Sequence, residues 1–213
     1  MKKFTQQEEE KILAAIRDLE KDTSGEFVPC ITKISDYYDE GTWYLTAMAG
    51  FIIFVMLIIG SYLWIIPSQL TFFEVGLYSA LFVLIVLIVA SFFPSLRLLF
   101  ISEYKKMSRV HAEAERVFLS EEVFKTNHRT GILLYISIKE RKVVILGDTG
   151  INQQVKQEEW NDMVNIIIHG IKNKQLADAM VTAIGKAKQL LVENEFPKSD
   201  SPDNELSNRI RYR

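Results

Sequence analysis

WYLTAMAGFIIFVMLIIGSYLWII, residues 43–66, contains no charged side chain, and FFEVGLYSALFVLIVLIVASFF, residues 72–93, contains one, Glu74. An α-helix needs about 20 apolar residues to cross a hydrocarbon layer ~30 Å thick, so each run is long enough to span a bilayer. The connector Pro67-Ser68-Gln69-Leu70-Thr71 is short and turn-like, which predicts an antiparallel hairpin. Trp43 and Tyr44 at one end of the first run, with Tyr62 and Trp64 at the other, are placed as interfacial anchors. The competing reading is a buried helical pair in a soluble core. The rest of the 213-residue chain is too small to cover two such helices on every side.

Working outward, the flanks carry nearly all of the 25 basic and 27 acidic side chains. The first 40 residues are polar and amphipathic, which does not read as a signal peptide. Lys33 precedes the first run, Arg97, Lys105, Lys106 and Arg109 follow the second, and the connector has no basic residue. The positive-inside rule then predicts both termini in the cytoplasm, at a bacterial inner membrane. A net charge of -2 leaves no basic footprint for nucleic acid. One cysteine, Cys30, excludes an intramolecular disulfide and a cysteine-based zinc site. The three histidines, His111, His128 and His169, show no metal-ligand spacing.

Thr5 and Glu8 form a capping-box pattern ahead of Ile12, Ile16 and Leu19, which share one helical face. Asp22-Thr23-Ser24-Gly25 ends that helix, and Glu26 to Ile34 reads as a strand that Pro29 confines to an edge or a bulge. Leu96, Leu99, Met107, Val110, Ala114, Val117 and Phe118 recur at helical spacing and predict a lever that continues the second span, kinked at Pro94. Gly131–Ile138 and Lys142–Leu146 read as a strand hairpin. Helices follow over 156–171 and 175–194. Residues 197–213 are rich in Ser, Asp, Asn and Pro and read as a disordered tail. Its final Arg209-Ile210-Arg211-Tyr212-Arg213 reads either as solvated or as a contact for anionic lipid or a partner.

Residues 1–42 offer too little for a core of their own, so they are expected to join residues 95–196 in one α+β domain, split by the hairpin at 43–94. This order of elements resembles the TPM domain family. Four strings carry the resemblance: Thr23-Ser24-Gly25-Glu26, Gly131-Ile132-Leu133-Leu134-Tyr135, Glu140-Arg141-Lys142 and Gly147-Asp148-Thr149-Gly150-Ile151. It covers residues 6–34 and 108–192 and implies a small mixed sheet of three to four strands flanked by helices. The sequence departs from the family pattern at Thr130, where relatives often have Asp or Asn, at Pro29, and in the inserted hairpin.

The turn Gly147-Asp148-Thr149-Gly150 is the best local candidate site, because two glycines permit positive φ and would expose backbone N–H groups. Asp148 reads either as a turn-former bonded to its own backbone or, with Glu26, as a hard-oxygen ligand for Ca²⁺ or Mg²⁺. The resemblance implies a groove here, with calcium binding or phosphatase activity in some relatives and links to photosystem repair and receptor modulation in others. A hydrolase needs clustered acids, a nucleophile and a phosphate cradle. The sequence offers Asp148, Glu26 and Asp162, and no Gly-rich phosphate loop. Two functions remain in contention: a membrane-anchored, non-enzymatic module that assists another membrane protein, and a metal-dependent phosphatase at the membrane surface.

Overall fold

A computed structural model describes residues 4–63, 72–196 and 206–213. The expected anchor Trp64 and the connector 67–71 lie outside the described residues. The chain divides into two units, 1–36 with 106–213, and 37–105.

The first unit is built on a four-stranded mixed sheet of order β3-β2-β1-β4. Strand β1 (Glu26–Thr32) runs parallel to β2 (Gly131–Ser137) through seven register pairs, from Glu26 with Gly131 to Thr32 with Ser137. Residues more than a hundred positions apart are thereby joined in one sheet. β2 pairs antiparallel with β3 (Lys142–Gly147). Alternation of side chains along the strands fills two cores. On one face Phe27, Ile31, Ile132, Leu134 and Ile145 meet α1 (Gln6–Asp22), α7 (Asn161–Asn173) and α8 (Leu176–Glu193). On the other, Val28, Leu133, Tyr135 and Val144 meet Val110, Ala114 and Val117 of α5 (Glu103–Ser120). Burying each of the larger side chains is worth about 1.5–3 kcal/mol. Thr5 and Glu8 form the expected capping box, and Ile12, Ile16 and Leu19 are the buried face of α1. Four-residue α6 (Thr149–Asn152) follows β3.

Two expectations about the sheet are corrected here. Pro29 does not lie in an edge strand, because β4 (Arg211–Tyr212) pairs outside β1. The reason it is tolerated is local. Ile31 accepts from the Arg213 N–H, so Phe27, Pro29 and Ile31 all aim their backbone polar groups toward β4. β4 reaches only Cys30 and Ile31, and the missing donor of Pro29 faces the stretch beyond it. The tail is also different: residues 206–213 lie against the sheet, with Ile210 and Arg211 buried. Arg211 and Arg213 both reach Glu121 at 3.2 Å, and Arg211 donates to the Ser207 and Arg209 carbonyls. The composition of the segment hid a charge-anchored strand. The expected strand hairpin is formed, and its turn Glu140-Arg141 is held in two ways. Arg141 adopts the left-handed region (φ 53), and the buried Glu140 carboxylate accepts from the Ser35 N–H at 2.7 Å and the Ser137 hydroxyl at 2.6 Å.

The second unit contains α2 (Asp39–Tyr62), α3 (Phe72–Phe92) and the short α4 (Pro94–Leu98). Within it, Asp39–Gly60 and Phe73–Phe92 are long and apolar enough to cross a membrane, with mean hydropathies of 2.2 and 2.6. α2 and α3 pack on each other, and Val83 comes within 3.9 Å of where a Cβ on Gly50 would stand. The continuous lever is not formed. Phe93 is driven out of the helical region ahead of Pro94 (φ -117, ψ 79), and residues 99–102 separate α4 from α5. Pro94 has no N–H for the Ala90 carbonyl four residues earlier. Arg97 takes that role: its Nε donates to Ala90 O at 2.9 Å and its Nη2 to Ser91 O at 3.0 Å. Its Nη1 reaches Tyr37 O at 3.0 Å and Asp39 Oδ1 at 3.2 Å. One buried guanidinium thus ties the start of α2 to the end of α3.

Candidate functional site

Gly147-Asp148-Thr149-Gly150 lies where β3 ends and α6 begins. Asp148 is the N-cap of α6, and its Oδ1 accepts from the Thr149 N–H at 2.7 Å. Its carboxylate is 4% exposed. Arg129, held in the left-handed region (φ 56) ahead of β2, lays its guanidinium on both oxygens: Nη2 to Oδ1 at 3.0 Å and Nε to Oδ2 at 2.8 Å. The Nε contact is close without hydrogen-bond alignment, so Oδ2 is neutralised by charge and has no bonded hydrogen. The same guanidinium stands 5.7 Å over the Phe124 ring.

The glycines act differently from the expectation. Neither has positive φ. A Cβ on Gly150 would come within 2.5 Å of the His128 carbonyl and 2.7 Å of the Arg129 carbonyl, and one on Gly147 within 2.6 Å of Ile151. Both positions need glycine for close approach. The turn's donors are also engaged: Asp148 N–H with Gly131 O and Gly150 N–H with Arg129 O, each at 2.9 Å. No open nest of N–H groups results.

Glu26 is not brought to Asp148. It opens β1, two strands away from β3, and its carboxylate accepts from the Leu206 N–H at 3.3 Å. Its acidic neighbour is Glu20, whose two oxygens accept from the Phe27 N–H at 3.3 Å and the Asn208 amide at 2.6 Å. Burial, with the charge of Glu26 beside it, pushes the Glu20 carboxyl up to about 7. Asp162 sits on α7, facing Lys186 at 3.3 Å. Thr130 supplies no charge: its hydroxyl donates to Ser24 O at 2.6 Å. Among the described residues no three His, Cys, Asp or Glu side chains group as a metal site would need. Ca²⁺ takes six to eight oxygens, so one carboxylate already claimed by an arginine does not fit it. Cys30 is fully buried and burial pushes its thiol up to about 12, so it is inert at neutral pH.

Sequence reasoning missed Arg129, Glu20 and the docked C-terminal segment. Arg129 stands 19 residues before Asp148, and only the β2–β3 pairing brings them together. The alternation Arg-Ile-Arg-Tyr-Arg is a strand signal that the polar composition around it obscured.

Residues 85–190 match the TPM domain family. Among solved structures, the fold is similar to the NMR structure of the BA42 protein from the psychrophilic bacterium Bizionia argentinensis, with a TM-score of 0.59. The two are 22% identical over 100% of this chain and 97% of that one, a likeness of fold. No curated protein matches the sequence.

Proposed function

From the match of residues 85–190 to the TPM domain family, we propose that the chain is an integral membrane protein displaying a TPM-like domain as a non-enzymatic interaction or assembly-assisting module for another membrane protein. The single observation that carries the non-enzymatic part is the Arg129–Asp148 pair. The one buried carboxylate at the glycine turn is spent on a helix cap and a guanidinium, and Glu26 faces the C-terminal segment. Support for the membrane part is the apolar surface of α2 and α3, of whose most apolar windows only 6% is buried. Arg97, Lys105, Lys106 and Arg109 beside the second span favour cytoplasmic termini at a bacterial inner membrane.

Two measurements test the proposal. Full-length protein in mild detergent is expected to hydrolyse no phosphomonoester above its Asp148→Ala variant, with Ca²⁺ or Mg²⁺ present. Metal-dependent turnover lost in that variant would establish the phosphatase reading. Affinity purification with mass spectrometry is expected to recover one integral membrane partner in constant ratio. Recovery of the protein alone after cross-linking in cells would contradict the module reading.

A further inference from the structure

The opposite end of the sheet has the character the glycine turn lacks. β1, β2 and β4 run parallel, and a cavity of about 600 Å³ opens beyond their carboxyl ends. Open sheets place ligands at that end of parallel strands, and this volume is within the range of small-molecule sites. Its floor is aliphatic: Ile31, Ile138, Ile171 and Leu176. Phe4 and Tyr212, edge to face at 6.5 Å, contribute one wall.

Three lysines border this apolar space: Lys33, Lys139 and Lys174. The backbone sets them there. Lys139 N–H donates to Lys33 O at 3.1 Å, extending the β1–β2 ladder past its last register pair. Lys174 ends α7 in the left-handed conformation (φ 60), immediately before the uncapped start of α8. None of the three ammonium groups forms an ion pair among the described residues. The one carboxylate in the lining, Glu8, is turned into the capping box, accepting from the Thr5 N–H and hydroxyl at 2.8 Å each. Three like charges around an aliphatic floor repel one another, and an anion placed among them removes that cost. A simple inorganic anion would leave the floor wet, and a neutral alkane would leave the charges unanswered.

We propose that this cavity binds a single-chain anionic amphiphile, its alkyl chain on the isoleucine floor and its carboxylate or phosphate head among Lys33, Lys139 and Lys174. The site belongs to the sheet domain alone and goes beyond the module function above. The direct test uses the full chain in phosphatidylcholine nanodiscs with diazirine-bearing palmitate, lysophosphatidate and hexadecanol, followed by irradiation and peptide mapping. Palmitate or lysophosphatidate is expected to label peptides containing Ile138, Ile171 or Leu176, and the head group that labels more strongly identifies the source. Inorganic phosphate alone is expected not to compete. Combined K33Q, K139Q and K174Q is expected to cut that labelling at least tenfold, while labelling within 43–92 stays constant as an internal control. Unchanged melting shows that the variant is folded, and the pair K33Q with K174Q serves if it is not. Labelling confined to 43–92, equal labelling by hexadecanol, or labelling indifferent to the lysine substitutions would each overturn the proposal.

Discussion

Ile16 on α1 and Ile85 on α3 are the same side chain on the same kind of helix, yet one is 0% and the other 58% exposed. On α1 the apolar residues recur with the helical turn and charged ones fill the gaps, so one face closes on the sheet. Past their acidic first turns α2 and α3 are apolar on every face, and only 6% of the most apolar window of each is buried. Hydrophobicity by itself does not tell a core from a lipid-facing surface. Its angular distribution does, because a protein core can be approached from one side and a bilayer surrounds.

The largest effect expected from this contrast comes from truncating like residues in the two regions. Ile132→Ala or Leu134→Ala removes a fully buried side chain from the sheet and should cost about 2–5 kcal/mol in chemical denaturation of the domain. Ile85→Ala on α3 should cost the domain less than about 0.5 kcal/mol. Comparable losses from both would erase the distinction. Adding a charge reverses the sensitivity: Ile85→Arg should raise the cost of insertion by about 2.5–3.5 kcal/mol, read as a shift from the carbonate-resistant membrane fraction. Next, Arg97→Met strips the partners from Ala90 and Ser91 carbonyls and should destabilise the helix pair by about 1–3 kcal/mol, lowering its thermal unfolding in detergent.

The last prediction concerns pH. Glu20 holds its proton more tightly in the folded domain, where its pKa is about 7, than in the unfolded chain, near 4.5. The folded state therefore binds more protons between those values, and stability falls as pH rises from about 4.5 to about 7, then levels. Glu20→Gln should flatten that slope and leave the variant more stable than the parent above pH 7, measured by melting across pH 4–8. A slope that survives the substitution assigns it to another group.

Much of the architecture was legible because it is written in local periodicity: the capping box at Thr5, the buried stripe of α1, the apolar β2, and the two long apolar runs. The split domain was reached by size alone, and the β1–β2 register supplies the geometry. What was not legible depends on contacts between distant residues. Arg129 meets Asp148 only after the sheet forms, and Glu121 recruits Arg211 and Arg213 across some ninety positions. The glycines at 147 and 150 were noticed for the right turn and the wrong property, since what they permit is contact with Ile151, His128 and Arg129. Pro29 was misplaced because the rule against inner-strand proline assumes a full-length neighbour, and β4 is two residues long.

The central claim, that both long apolar helices cross the bilayer and the sheet domain lies on one side of it, is tested by cysteine accessibility in intact cells. Native Cys30 is buried and its thiol poorly ionised, so an added cysteine reports alone. Ser68→Cys in the connector should react with a membrane-impermeant maleimide added outside, and Ser207→Cys beside β4 should react only after the membrane is opened. Labelling of Ser207→Cys in sealed cells, or of neither position until lysis, would contradict the account.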